Sequence, residues 1–509
     1  MPIHGKMLKI YRKVYNIFIA LRRWSFDNNE KNFIKNRVRS SINYSTINGV
    51  ILIQCVNDYF YYSLFSNVIK KESELNLYSF HGISGNLFKL NQQHSYLWLF
   101  YKIYSIINFH IINRKWKILY GVIGIKKIHT LDSINFFNKL IFLRRAIKIW
   151  LKLKTKSELI NLCYDDILIG DLIYDTYLRY RVSPTVYMDD PFLCYYIYSA
   201  LKSVESSEKI LHNVKVAKYF CSYATYIHHG IPIRVFLKHK IEVFSAGNVQ
   251  QLFKKLDTTD FLQTSNHINY YNMFLQLANK DKHLKRARKI LESKFNGNID
   301  TSISYMRKSS FNRHDNTTPI HKFDGVLFLH DFFDSPHIYK RLLFNDFYEW
   351  VIHTLELVIS HDLKIAVKPH PNQIAESKDV LDKLKLKYNN VAWLDADLSN
   401  NIIFNSGIKF GISVYGTVLH ELAYFGINPI CAGDNPHYSF DFIHKPKNIQ
   451  EYNYLILNFM DLEMPSNYKE LVEMFFYMHN LQKKESYFFE ESYFQYKNRT
   501  YTSNCLKYI

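Results

Sequence analysis

Short apolar runs closed by turn residues, each followed or preceded by a longer stretch at helical spacing, recur along the 509 residues. In the first half, `GVILIQCVNDYFYYSLFSNVIKK` (49–71) reads as strand, loop and helix, and `LNLYSF` (75–80) as a second strand. Residues 165–181, `DDILIGDLIYDTYLRYR`, read as a strand leading into a loop or helix, and 215–247 as strand, turn, helix, strand. In the second half, 325–329 is a strand that opens into a polar loop. The helical pattern `FNDFYEWVIHTLELVISHD` precedes the β-branched run 365–367, which stops at Pro369. A β-turn-α-β unit follows, with strand 410–413, turn 415–417, helix 418–424 and strand 429–432. This alternation predicts an α/β protein. The divisions it suggests are a basic amphipathic helix at 1–25, an amino-terminal domain at 26–255, a polar linker with one or two charged helices at 256–321, a second domain at 322–455, and helices at 456–509 that pack back across the domains. No internal repeat is evident.

The loops at strand ends carry the chemistry, because ligands of open α/β sheets bind there. `IAVKPHPNQ` (365–373) places Lys368 and His370 directly after a buried strand, with Pro369 and Pro371 restricting the backbone that aims the imidazole. In `KFGISVYGTVLHELAYFGINPICAGDNPHY` (409–438), Gly416 permits close backbone approach, and the Ser413 and Thr417 hydroxyls stand at the start of a helix, a setting suited to phosphate. Glu421, one turn on, is placed to accept hydrogen bonds from ribose hydroxyls. The plain alternatives are a rigid turn with an incidental histidine and a capping turn with a solvated glutamate. The loop after 325–329 holds His330, Asp331, Asp334 and His337, and in the first half Asp171, Asp175, Arg179 and Arg181 cluster. One of the two aspartates could serve as a general base while the arginines hold an anionic group; the alternative is a structural Asp–Arg network. Tyr226, His229 and Arg234 in `YIHHGIPIR` either contact ligand or close a turn. `LDADL` (394–398) contains D-x-D, but Asp397 and Ser399 precede the apolar run `NIIF`, which helix capping explains.

A His-Pro loop, a later hydroxyl-bearing glycine turn that opens a helix, and a glutamate in that helix resemble the carboxyl-terminal domain of GT-B glycosyltransferases of the capsule polysaccharide biosynthesis type. That group includes CMP-Kdo-dependent enzymes and, more distantly, bacterial sialyltransferases. The resemblance covers about residues 322–440. It implies two Rossmann-like domains with a cleft between them, His370 contacting the donor phosphate and aiding departure of CMP, Ser413 and Thr417 binding phosphate, and Glu421 binding ribose. Lys368 and Gly416 complete the nucleotide set, and His330, Asp331, Asp334, Arg179 and Arg234 are candidates for contact with donor or acceptor. The sialyltransferases show two adjacent hydroxyl residues where this sequence reads `SVYGT`.

Composition fits a large-cored globular protein, at 48% hydrophobic residues with 40 Tyr and 38 Phe. The six cysteines lack C-x-x-C spacing, which predicts reduced thiols, a cytoplasmic location and no zinc framework. A formal charge of +20 comes without a nucleic-acid-binding signature, so nucleic acid is not the expected partner. The amino terminus `KMLKIYRKVYNIFIALRRW` repeats apolar residues at helical spacing among lysines and arginines, which suits an anionic inner-membrane surface or a helix packed on its own domain. Residues 95–113 are long enough to span a bilayer but carry Lys102 and His110, and read as a buried or interfacial helix.

The expected function is transfer of a sugar, Kdo or a related acidic one, from a CMP-activated co-substrate to a growing glycan or glycolipid, without a cofactor or metal. Rival readings are a CDP-alditol phosphotransferase, a metal hydrolase built on H-D-x-x-D-x-x-H at 330–337, and a non-catalytic scaffold of polysaccharide assembly.

Overall fold

In the computed structural model, residues 26–37, 49–75, 78–85, 114–131, 135–246, 252–264, 267–298, 309–311, 323–371, 373–482, 496, 500, 502–507 and 509 are described. The expected helix at 1–25 and the segment 95–113 lie outside them. The chain divides into two compact units, one of 1–147, 198–263 and 485–509, the other of 148–197 and 264–484.

In the first unit, β1 (Val50–Gln54), β2 (Ser79–Ser84) and β3 (Ile125–Thr130) are built outward in one direction. The hairpin β4 (Cys163–Tyr164) and β5 (Ile167–Leu168) belongs to the other unit, and the first sheet resumes with β6 (Val216–Cys221), β7 (Glu242–Ser245) and β8 (Lys254–Leu256). The order is β3-β2-β1-β6-β7-β8, parallel except for the β7–β8 pair. Strand β1 is fully buried, and Ile51 and Ile53 pack with Phe65, Phe80 and Phe220.

The second unit repeats the plan with β9 (Gly325–Phe328), β10 (Ile365–Lys368), β11 (Ala392–Trp393), β12 (Phe410–Ser413) and β13 (Asn428–Cys431). Its sheet is wholly parallel in the order β11-β10-β9-β12-β13. The two-residue period of a strand separates its faces. Val326, Phe328 and Ala366 face a core shared with Leu291, Leu419 and Phe475, while Leu327, Ile365 and Val367 face Trp350, Val351 and Leu355 of helix Phe347–Ser360. A Cβ on Gly411 would stand 2.4 Å from Leu422, so glycine there lets helix Val418–Tyr424 lie directly on β12. Both units are thus doubly wound and Rossmann-like, the organisation expected of a GT-B protein.

Two divisions differ from the sequence-based ones. Residues 148–197, expected within the first domain, belong to the second unit. The stretch 256–321, expected as a linker, contributes Tyr270, Phe274, Ala287, Leu291, Phe295 and Phe311 to the second core. Its apolar residues are few, but in helix Lys280–Phe295 they fall on one face at 287, 291 and 295.

Candidate functional site

In each sheet the chain builds outward from a central strand, then returns and builds the other way, so a switch point lies beside β9 in the second unit and beside β1 in the first. His330 follows β9, Lys368 ends β10 with His370 two residues on, and Ser413 ends β12. The second switch point therefore gathers the residues singled out in the sequence. The His330 and His370 rings are 6.1 Å apart and nearly perpendicular. Tyr415 packs its ring 4.8 Å from His330 and donates its hydroxyl to the Ser335 carbonyl at 3.1 Å, tying the turn after β12 to the loop after β9. Ser413 Oγ donates to the Phe328 carbonyl at 3.2 Å. A Cβ on Gly416 would come within 3.2 Å of that Oγ, so a side chain there would crowd the turn. Thr417 begins the helix without using its hydroxyl as a cap. Burial, reinforced by His330 and Lys368, pushes the His370 imidazole down to about 4, so it is neutral at physiological pH.

Lys368 and Glu421 lie beneath this surface. Lys368 shares the inward face of Ala366, and its Nζ donates to Asn400 Oδ1 at 2.5 Å. Asn400 Nδ2 donates to Glu421 Oε2 at 3.2 Å, and Glu421 Oε1 meets Lys294 Nζ at 2.8 Å. The Glu421 carboxylate is buried at 1% exposure. The helix face that carries Glu421, read from the sequence as a ribose ligand, turns inward, and its carboxylate meets Lys294 directly and Lys368 through Asn400. Burial lowers the Lys368 ammonium to about 8 against the opposing pull of Glu421, Asp397 and Asp395. Sequence reasoning passed over Asn400 and Lys294. The signal for Lys294 was available, since it interrupts the apolar stripe of 287, 291 and 295.

The inserted segment 148–197 brings the expected carboxylates to the same unit. Asp175 Oδ1 lies 2.6 Å from His337 Nδ1, both side chains being buried. Burial alone would lower the His337 imidazole, but the Asp175 charge and hydrogen bond outweigh it and raise it. Asp175 is not the free base expected; it holds and orients a histidine. Asp171 Oδ1 accepts the Leu172 N–H at 2.8 Å, and Arg179 is exposed on the turn Tyr177–Val182, where its charge reaches Asp334. Despite the opposing effect of burial, His330, the Ser335 N–H and Arg179 together lower the Asp334 carboxyl. Nearby, Asp346 caps helix Phe347–Ser360 and accepts the Tyr174 and Thr185 hydroxyls at 2.5 Å each, fixing the inserted segment to the sheet domain.

The four side chains of H-D-x-x-D-x-x-H separate. Asp331 accepts the Ile374 N–H at 3.1 Å and the Ser377 hydroxyl at 3.4 Å, steadying the chain just beyond the His-Pro loop. His330 stands 3.6 Å from Asp334, and His337 turns to Asp175. Among the described residues no three His, Cys, Asp or Glu are placed to hold a metal ion.

The first unit has its own polar edge. Gln54, the last residue of β1, accepts the Ser222 N–H at 2.9 Å and its hydroxyl at 2.8 Å through Oε1. That fixes the amide, so Nε2 donates to His229 Nδ1 at 2.8 Å and the imidazole keeps its proton on Nε2. Tyr226, at φ +68°, opens helix Ile227–Lys238 just before His228 and His229. Burial lowers His228 to about 3 and, with His228 adding to the effect, His229 well below its usual value. Tyr223, partly exposed, stands 6.1 Å from His229. Arg234 is buried in the same helix with its guanidinium over the Phe261 ring at 4.6 Å, a stacking contact within the unit.

No protein-family model matches the sequence, and no curated protein does. Among solved structures, similarity is found to the β-Kdo 2,4-transferase of KpsC from Thermosulfurimonas dismutans, at 12% identity over 52% of this chain and 79% of that one, with a TM-score of 0.32. The β-Kdo 2,7-transferase of the same KpsC is 13% identical over 53% and 79%, with a TM-score of 0.28. The UDP-GlcNAc 2-epimerase of Methanocaldococcus jannaschii is 12% identical over 83% and 97%, with a TM-score of 0.26.

Proposed function

We propose that the protein is a glycosyltransferase that moves Kdo or a related acidic sugar from a CMP-activated donor to a hydroxyl of a bacterial surface glycan or glycolipid, on the cytoplasmic side of the membrane. The observation that carries this reading is the convergence of His330, His370 and the Ser413–Thr417 turn at the switch point of the second sheet, with a buried Asp175–His337 pair in the same unit. In the reaction, the bond from the sugar carbon to the CMP phosphate oxygen breaks and CMP departs with the electron pair. A bond forms from that carbon to the acceptor oxygen, whose proton passes to His337, oriented by Asp175. The neutral His370 donates an N–H to the departing phosphate as its charge grows. Ser413, Gly416 and Thr417 receive the phosphate, while the chain from Lys368 through Asn400 and Glu421 to Lys294 supports the His-Pro loop and the turn from below. The uncharged edge of the first unit, with Gln54, His229 and Tyr223, suits the hydroxyls of a sugar. The hydrolase reading is disfavoured because, among the described residues, no three such side chains are placed to hold a metal: His330 and Asp334 stand together, while Asp331 and His337 turn to other partners.

Thermal unfolding with CMP, CDP, UDP and GDP tests the donor class, since a ligand that binds only the folded state raises the melting temperature by mass action. CMP should give the largest rise. A rise with UDP or GDP alone removes the CMP-sugar assignment.

A further inference from the structure

Helix Phe136–Lys152, `FFNKLIFLRRAIKIWLK`, has two apolar faces. One is buried: Phe142 is 4% exposed and Ala146 fully covered, and Trp150, half-buried, donates its indole N–H to the Met188 carbonyl at 2.8 Å. The other looks outward. Leu140 is 50% exposed, Ile147 40%, Leu151 61% and Phe137 76%. Positions 137, 140, 144, 147 and 151 follow the 3-4-3-4 spacing of a single helical stripe, in which Arg144 is the one polar member. Ile141 and Leu143 widen it at 48% and 42% exposed. A soluble helix normally turns polar residues outward, and an exposed apolar stripe of this length marks an interaction surface.

The charge around the stripe selects the partner. The helix contains Lys139, Arg144, Arg145, Lys148 and Lys152 and no acidic residue, and Lys154 and Lys156 follow before the first acid, Glu158. An apolar stripe set among cations, with long aliphatic stems flanking it, complements a surface with a hydrocarbon interior and anionic headgroups. We propose that helix Phe136–Lys152 docks the protein on an anionic bilayer, with Leu140, Ile147 and Leu151 entering the headgroup–acyl boundary and Arg144, Lys148 and Lys152 meeting lipid phosphates. No helix among the described residues is long and apolar enough to cross a membrane, so this contact lies in the plane of the surface. This helix is a different part of the sequence from the basic segment at 1–25, and the proposal does not depend on which sugar is transferred.

The test is co-sedimentation of the full chain with vesicles of phosphatidylglycerol and phosphatidylcholine, and with phosphatidylcholine alone. Wild type should pellet with the anionic vesicles and at least tenfold less with the neutral ones. The double variant Leu140→Glu/Leu151→Glu replaces exposed side chains only, so it should keep the wild-type melting temperature and nucleotide binding yet lose anionic-vesicle binding by tenfold or more. Arg144→Glu/Lys148→Glu should lose it similarly. Wild-type failure to bind anionic vesicles overturns the proposal, as does undiminished binding by both double variants. So does a wild-type dimer that the leucine variant converts to monomer, because the stripe would then be covered by a second copy of the chain.

Discussion

The two switch points occupy equivalent places in two sheets of the same winding, yet they are built from different chemistry. Beside β9 the polar groups include charges: Asp175 against His337, Asp334 near Arg179, and Lys368 joined through Asn400 to Glu421 and Lys294. Beside β1 the network is an amide, a hydroxyl and two imidazoles held neutral. The fold fixes where a ligand can sit, and a handful of side chains decide which ligand it is. The second edge can meet an anion and move a proton. The first offers fixed neutral donors, suited to hydroxyl groups.

The contrast predicts its largest effects in stability. Removing the carboxylate of a buried, charged hydrogen bond leaves its donor unpaired, at a cost of about 1.5–3 kcal/mol, whereas removing one member of a neutral hydrogen bond costs roughly 1 kcal/mol. Asp175→Ala should therefore lower the free energy of unfolding more than Ser222→Ala, measured by denaturant titration. Equal losses would mean that the Asp175 carboxylate does not hold His337 across their 2.6 Å contact.

Next is turnover. If His370 donates to the leaving phosphate, the contact strengthens in the transition state, and His370→Ala should lower turnover on the order of a hundredfold, about 3 kcal/mol, with at most a modest change in CMP affinity. His229→Ala, at the neutral edge, should leave CMP affinity unchanged. Near-normal turnover in His370→Ala would remove the leaving-group role. A smaller effect is expected beneath the site: Asn400→Ala deletes the link between Lys368 and Glu421 and should destabilise the fold by about 1–3 kcal/mol, the penalty for unpaired buried polar groups. No change in unfolding free energy would show that water replaces the amide.

Much of the second edge was legible in the sequence because it obeys local rules. Strands end where Pro369 and the Tyr415–Thr417 turn end them, so the places of His370 and Ser413 followed from the apolar runs. What was not legible depends on side-chain direction and distant packing. Glu421 sits one turn from Thr417 as expected, but which face of a seven-residue helix turns inward is settled by Leu422 of that helix packing on Gly411 of the sheet below. Asp175 and His337 are separated by 162 residues, and their pairing requires the inserted segment 148–197 to join the second unit. No pattern along the chain announces that.

The finest test of the comparison is pH. Lys368 is lowered to about 8 by burial, so its ammonium is present below that value and lost as pH rises through it. If this cation supports the phosphate-binding turn through Asn400, CMP affinity should fall a few-fold between about pH 7.5, where the CMP phosphate is already fully ionised, and about pH 9, since at one unit above its pKa only about a tenth of the lysine stays charged. The fall cannot come from unfolding driven by the same lysine. Its proton is held more tightly in the unfolded chain, at the ordinary value of 10.5, so between 8 and 10.5 the unfolded state binds more protons and this group's contribution to stability grows with pH. At the neutral edge, burial holds His228 near 3 and His229 well below its usual value, so neither ring titrates over that range and binding of a methyl glycoside there should be level. Isothermal titration of CMP and saturation-transfer NMR with methyl glycosides, each across pH 6 to 9.5, separate the two. A CMP affinity independent of pH through 9 would detach Lys368 from the nucleotide site and leave the buried network a purely structural part of the sheet.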